Sequence, residues 1–354
     1  MARLLDISLH GSRTLRTADD LVAAGLVDQA SGVAAVTAAY AAAITPSLAA
    51  LIDRADPADP IARQFVPSQA ELDVRPEEFP DPIGDKTHEP VEGIVHRYPD
   101  RVLLKAVSVC PVYCRFCFRR EMVGPDKDGN LSPTEIEAAL AYIRQHSEIW
   151  EVIVTGGDPF MLSARRASAL TRELEAIPHV KVIRWHTRMP VADPDRITTE
   201  FVAAIGSATK AVYVAIHCNH PRELTPAVRA ACARLIDAGI PLLSQTVLLK
   251  RVNDDIDTLE QLMRSFVELR IKPYYLHHAD LAPGTSHFRT TVEQGQALVR
   301  QLRERVSGLA QPDYVIDIPG GVSKARASPS DVQTEDGRIR LRGRDGAWHS
   351  YDAG

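Results

Sequence analysis

Cys110, Cys114 and Cys117 stand at x3 and x2 spacing in the stretch Cys-Pro-Val-Tyr-Cys-Arg-Phe-Cys, directly after the apolar run Val102 to Val109. Cysteine thiolates are the protein ligands of iron–sulfur clusters, and a four-iron cluster ordinarily takes four of them. No fourth cysteine lies nearby. Three ligands on a cubane leave one iron open to a group that is not protein, and an open iron at the end of a strand suits catalysis. Zinc is the competing chemistry. A structural zinc site asks for four ligands, and Cys218 and Cys232 lie about a hundred residues further on. Three thiols in one short loop fit the cluster better.

Other residues of a useful type occur singly. Thr155-Gly156-Gly157-Asp158-Pro159 follows a second apolar run. Paired glycines let backbone approach a ligand closely, although alone the sequence reads as an ordinary turn. Gln245 sits inside an apolar run, either as a ligand contact or as a hydrogen-bonded core glutamine. Asp313 to Asp317 reads as a strand ending in an aspartate, followed by Pro319-Gly320-Gly321 and then Lys324. A lysine on such a turn can form a Schiff base; alone it reads as a solvated loop residue.

From residue 100 onward, β-rich apolar runs alternate with helical stretches: Val102–Val109, Glu151–Thr155, Val180–Trp185, Ala211–His217, Pro241–Leu249 and Lys272–His277. Ser132-Pro-Thr-Glu135 is a capping box with proline at the first helical position. Thr225-Pro226 opens another helix, which ends near Ala238-Gly239. This alternation predicts an α/β protein of βαβ units with parallel pairing and a site at the C-terminal strand ends. The cysteine loop follows the first strand, where that rule puts it. Residues 1–95 read as an arm. Ala-rich helical stretches at Thr17–Gly25 and Gly32–Ala43 precede a segment punctuated by Pro57, Pro60, Pro67, Pro76, Pro80, Pro82 and Pro90. Proline lacks an N–H and restricts its predecessor, so this segment is expected to be extended and, through Ile61, Phe65, Val66 and Ile83, to wrap the core. Residues 326–354 read as a short polar tail.

The 354 residues carry a net charge of −5, with 45% hydrophobic and 25% charged side chains. That balance is ordinary for a soluble globular protein and argues against a dedicated nucleic-acid surface. No apolar run reaches the ~18 residues of a membrane span. The first residues contain an early acid and no signal-peptide core. Five cysteines, three of them clustered, fit a reducing cytoplasm better than a disulfide framework.

Several motifs occur in a telling order: His96-Arg97-Tyr98-Pro99-Asp100-Arg101, the cysteine loop with Arg119-Arg120, Gly156-Gly157-Asp158, and His217-x-Asn219-His220-Pro221. Pro273-Tyr274-Tyr275 with Asp280, His287-Phe288, and Asp317 with Lys324 follow. As a set they resemble the lysine 2,3-aminomutase family of radical SAM enzymes, from about Asp59 to about Lys324. The resemblance implies a partial (β/α)6 radical SAM barrel over residues 96–325, with the arm before it and the tail after. It implies a 4Fe-4S cluster on Cys110, Cys114 and Cys117 that binds and reduces S-adenosyl-L-methionine (SAM), and pyridoxal 5'-phosphate held by Lys324. Gly156, Gly157, Asp158 and Gln245 are then SAM contacts. Arg97, Tyr98 and Arg101 surround the cofactor phosphate, whose oxygens suit the forked guanidinium. Arg119 takes the substrate α-carboxylate, and Asp280 and Asp317 take the ε-ammonium of L-lysine. The implied isomerase reaction moves the amino group from C2 to C3 and gives β-lysine.

The implied partners are the amino acid, a reductant such as flavodoxin or ferredoxin, and a second copy in a homodimer. Two aspartates argue against glutamate as the substrate. His277 and His278 depart from the tyrosine and polar residue the family pattern leads one to expect; paired histidines at a strand end can bind a metal but read better as hydrogen-bonded pocket walls. No cysteine follows Cys232, so the intersubunit zinc of larger members is not expected. Two other readings stand beside this one. One is synthesis of β-lysine for attachment to elongation factor P, a group that carries glutamate at the position of Asp317. The other is a non-catalytic iron–sulfur or zinc-binding protein on a barrel scaffold.

Overall fold

The computed structural model describes residues 13–124, 130–335 and 338–351. The arm contributes α1 (Ala18–Ala23), α2 (Ser31–Ala39), α3 (Pro46–Ala49) and α4 (Pro60–Phe65). Thr17 and Asp20 close a capping box on α1, and the Asp59 carboxylate accepts from the Ile61 and Ala62 N–H groups at the start of α4. The proline-punctuated segment, expected to be extended, contains helix α4, which Pro60 opens at its first turn; Ile61, Phe65 and Ile83 are buried and Val66 lies half-buried against the core.

The arm also delivers charge, which its sequence did not disclose. Asp59, Glu71, Glu78 and Asp85 are all buried. Asp59 meets Arg222, Glu71 meets Arg115 and Arg120, Glu78 meets Arg289, and Asp85 meets Arg97 and Arg119. Removing one partner of a buried pair strands the other charge in low dielectric. These pairs therefore fix where the arm lies on the body.

After β1 (Ile94–Tyr98) the chain turns back antiparallel into β2 (Arg101–Val107). There follow α5 (Pro133–Gln145), β3 (Glu151–Gly156), α6 (Ala164–Glu175), β4 (Val182–Thr187), α7 (Met189–Ala192), α8 (Thr199–Ile205) and β5 (Ala211–His217). Then come α9 (Pro226–Asp237), β6 (Leu242–Leu248), α10 (Ile256–Glu268), β7 (Ile271–His278), α11 (Val292–Arg305) and β8 (Asp313–Asp317). Strands β2 to β8 pair in parallel in chain order, and β9 (Lys324–Arg326) closes the far edge antiparallel to β8. This is the partial (β/α)6 barrel, with β8 as a further parallel strand that carries Asp317. The two helix starts read from sequence form as expected: Ser132 and Glu135 close their capping box on α5, and Thr225 caps α9 ahead of Pro226.

Strand alternation separates core from site. Ile183 and Trp185 on β4, Val214 and Ile216 on β5, and Leu276 on β7 join the apolar layer with the helices. Their neighbours Arg184, His186, His217 and His277 fall on the opposite face, because successive strand side chains point to opposite sides of a sheet. Buried parallel strands normally read as continuous apolar runs, so this run of polar side chains on one face is the departure that points to a site.

The tail, read from sequence as short and polar, folds into an antiparallel sheet of β10 (Val332–Glu335), β11 (Arg338–Arg342) and β12 (Trp348–Tyr351). The alternation Arg338-Ile339-Arg340-Leu341-Arg342 is its period-two signal. Among the described residues no helix is long and apolar enough to cross a membrane.

Candidate active site

Cys110, Cys114 and Cys117 occupy the loop that leaves β2, and this loop is pressed against the end of β3. Gly157 donates its N–H to the Val107 carbonyl at 2.6 Å, and Asp158 donates to Val109 at 2.9 Å. A Cβ at Gly156 would lie 2.1 Å from the Val107 oxygen, and one at Gly157 would lie 2.4 Å from the Val109 oxygen. Both approaches are far inside van der Waals contact, so the two glycines let the cysteine loop lie directly on β3. Asp158 secures the other side of the turn. Its Oδ1 accepts from Phe160 N–H at 3.0 Å and from the Thr187 hydroxyl at 2.7 Å, and its Oδ2 accepts from Arg188 N–H at 2.7 Å.

Burial raises all three thiols, taking Cys114 to about 11. They stay protonated until a metal displaces the proton. Arg115 and Arg188 oppose that rise at Cys114, and Arg119, Arg120 and Arg115 oppose it at Cys117. A loop of three thiols ringed by guanidinium groups fits a thiolate-ligated, negatively charged cluster.

A chain of charges crosses the mouth of the barrel. Lys324 Nζ contacts Asp317, and the Lys324 N–H donates to the Tyr98 hydroxyl at 2.9 Å. Asp317 lies 3.6 Å from Arg97 Nη1. Arg97 Nη2 donates to the Ile83 carbonyl and lies 3.4 Å from Asp85, which accepts from Arg119 Nε at 2.8 Å. Lys324 and Asp317 from the C-terminal strands, Arg97 and Tyr98 from β1, and Arg119 from beside the cysteine loop thus share one network with Asp85. Arg101 stands apart: it pairs with Asp100 at 2.7 Å and its guanidinium lies 3.8 Å over the Tyr98 ring.

Asp280, just beyond β7, is pushed up to about 7 by burial and by the neighbouring Asp317, with Lys324, Arg119 and Arg97 pulling the other way. Gln245 on β6 is buried, its Nε2 3.5 Å from His186 Nε2. Arg97 Nε, Asp317 Oδ1 and His277 Nε2 are buried without a hydrogen-bond partner. Buried polar atoms are nearly always paired, so these open valences around Lys324 fit a site built to receive a polar molecule such as a phosphate-bearing cofactor.

Sequence reasoning missed Asp85 and His186, gave no role to the imidazole of His217, and read His277 with His278 as pocket walls. His186 and His217 have ring centroids 6.1 Å apart. Burial holds His186 and His277 well below the usual range and takes His217 down to about 3. All three are neutral hydrogen-bonding groups on the inner face. The signal for them was a polar residue directly after a large apolar one on a parallel strand: Trp185-His186, Ile216-His217 and Leu276-His277.

Residues 105–263 match the radical SAM superfamily. The chain is 38% identical over 326 residues to an L-lysine 2,3-aminomutase of Clostridium subterminale, covering 92% of this chain and 78% of that one. It is 40% identical over 310 residues to an L-lysine 2,3-aminomutase of Methanococcus maripaludis, covering 87% and 71%. A glutamate 2,3-aminomutase of Clostridioides difficile is 37% identical over 287 residues, covering 81% and 67%.

Proposed function

The chain belongs to the lysine 2,3-aminomutase family of radical SAM isomerases, and we propose that it converts free L-lysine to β-lysine with pyridoxal 5'-phosphate seated at Lys324. The observation that carries the substrate is the pair Asp280 and Asp317, two carboxylates close enough that Asp317 helps raise Asp280 to about 7. Lys324 and Arg97 meet Asp317, and a further cation beside Asp280 would favour its ionised form, since an opposite charge nearby does so. The distal ammonium of lysine supplies that cation. The side chain of glutamate would bring a third carboxylate instead.

When bound, the cluster and SAM supply the radical that removes and returns a hydrogen, and pyridoxal phosphate supplies the delocalised system that lets nitrogen change carbons. The protein's part is to hold, orient and seclude. Cys110, Cys114 and Cys117 hold the cluster, and Gly156, Gly157 and Asp158 fix their loop while forming one wall for SAM, which Gln245 faces from β6. Arg97 and Tyr98 flank Lys324 and take the phosphate, with Arg101 stacked behind Tyr98. Arg119 offers its remaining guanidinium N–H groups to the α-carboxylate while Asp85 holds its Nε. Lys324 Nζ rests against Asp317, at the position from which it would hold the cofactor's carbonyl carbon. A small electron carrier such as flavodoxin or ferredoxin is the reductant this chemistry requires.

Borohydride reduction of the pyridoxal-phosphate-loaded protein, followed by peptide mass spectrometry, tests the placement. The reduced pyridoxyl group is expected on Lys324 and absent in K324A. Its appearance on another lysine, with Lys324 unmodified, would overturn the assignment.

A further inference from the structure

His277 sits near the C-terminal end of β7. Its Nδ1 lies 3.9 Å from Asp317 Oδ2, the oxygen that also meets Lys324 Nζ. Its Nε2 is buried with no hydrogen-bond partner. The ring stands edge-on to Tyr275, centroids 5.5 Å apart, and burial together with the Lys324 cation keeps it neutral. A neutral imidazole that donates from one nitrogen must accept at the other. With the proton on Nδ1, the nitrogen nearer Asp317, Nε2 presents a buried lone pair with no donor to receive. An unmet buried acceptor is unfavourable, so the arrangement calls for a donor from a ligand.

We propose that His277 Nε2 is the third acceptor for the distal ammonium of L-lysine, beside the carboxylates of Asp280 and Asp317, and thereby sets the preference for a primary ammonium. The inference rests on the lysine reading above. A primary ammonium has three N–H donors and no acceptor; two carboxylates and one imidazole lone pair match it donor for donor. Asp317 Oδ2, 3.9 Å away, is the carboxylate oxygen nearest Nδ1 and favours the tautomer with the proton there, which leaves Nε2 accepting. A carboxylate side chain would bring a further acceptor to these three.

The test uses the protein loaded with cluster, SAM and pyridoxal phosphate. Binding of L-lysine and of L-norleucine, the same carbon chain without the ammonium, is read from the change in pyridoxal absorbance. In H277F the dissociation constant for lysine is expected to rise by about tenfold to a hundredfold, the range for a hydrogen bond to a charged group, while that for norleucine stays put. H277L repeats the test with a side chain of different shape. H277Q restores most of the preference, because its amide can donate to Asp317 and accept from the ammonium. A variant that keeps the wild-type lysine-to-norleucine ratio, or weakens both amino acids equally as a merely structural change would, overturns the proposal. A wild-type protein that does not prefer lysine to norleucine overturns the lysine reading itself.

Discussion

Asp85→Asn removes one charge and almost no volume from the centre of the network, and its consequences can be worked from geometry. The Asp85 side chain is 0% exposed; Arg119 Nε lies at 2.8 Å and Arg97 Nη2 at 3.4 Å. Both guanidinium groups are themselves nearly buried, at 11% and 8% side-chain exposure. With asparagine there, Arg119 loses its carboxylate partner and Arg97 keeps Asp317 as its one carboxylate, beside the Ile83 carbonyl. Breaking a buried pair from one side destabilises by about 3–5 kcal/mol. The amide oxygen still accepts one hydrogen bond, which puts D85N at the lower end, about 3 kcal/mol, or roughly a 150-fold change in the folding equilibrium. Urea unfolding of the apo protein measures this directly, and pyridoxal phosphate titration of the same samples should show affinity at least about tenfold weaker, because Arg97 and Arg119 lose their anchor. The surface change E335Q, at a pair exposed on both sides, serves as the control and should stay within about 0.5 kcal/mol. If D85N unfolded at the wild-type urea midpoint and bound the cofactor equally well, the network would be incidental to the site.

Gly157→Ala places a Cβ 2.4 Å from the Val109 carbonyl oxygen; iron and sulfide content after anaerobic reconstitution should fall by more than half, whereas Gly32→Ala, which meets nothing within 4 Å, should load fully. Asp280 titrates near 7 in the folded protein against an ordinary 3.8. The native state therefore holds this proton more tightly than the unfolded chain does, and Asp280 lowers stability progressively as pH rises from about 4 to about 7. D280N should thus match wild type near pH 4 and be more stable at pH 8, by roughly 2–4 kcal/mol in the ligand-free protein, as read from denaturation midpoints at the two pH values. Lysine binding by the wild type should tighten between pH 6 and pH 8 as the carboxyl ionises, and D280N should abolish that pH dependence.

Local chemistry explains what the sequence discloses. The barrel units are legible because each strand and cap is specified within a few residues: Ser132 and Glu135 close on each other, and Thr225-Pro226 starts its helix wherever it lies. The cysteine loop is legible because its ligands are close in sequence. Lys324 and Asp317 are brought together by a single turn between β8 and β9, so their pairing is also nearly local. Asp85 is not legible, since its partners Arg97 and Arg119 come from β1 and the cysteine loop, and an acid among prolines and glycines reads as surface charge. Glu71 and Asp59 are hidden for the same reason. Gly156 and Gly157 read as permitting a ligand approach, whereas the structure gives the close approach to the backbone of the cysteine loop. Arg101 carries the same residue type as Arg97, yet Asp100 and the Tyr98 ring hold it outside the charge network, a difference set by side-chain packing rather than by pattern.

The decisive measurement is anaerobic. The reconstituted protein is incubated with pyridoxal phosphate, SAM, a strong reductant and L-lysine carrying nitrogen-15 on its α-amino group, and the amino acids are resolved by chiral mass spectrometry. Conversion to β-lysine bearing the label on C3 is the predicted result. Reductive cleavage of SAM to 5'-deoxyadenosine with the lysine recovered unchanged would contradict the assignment of lysine to the Asp280–Asp317 pocket.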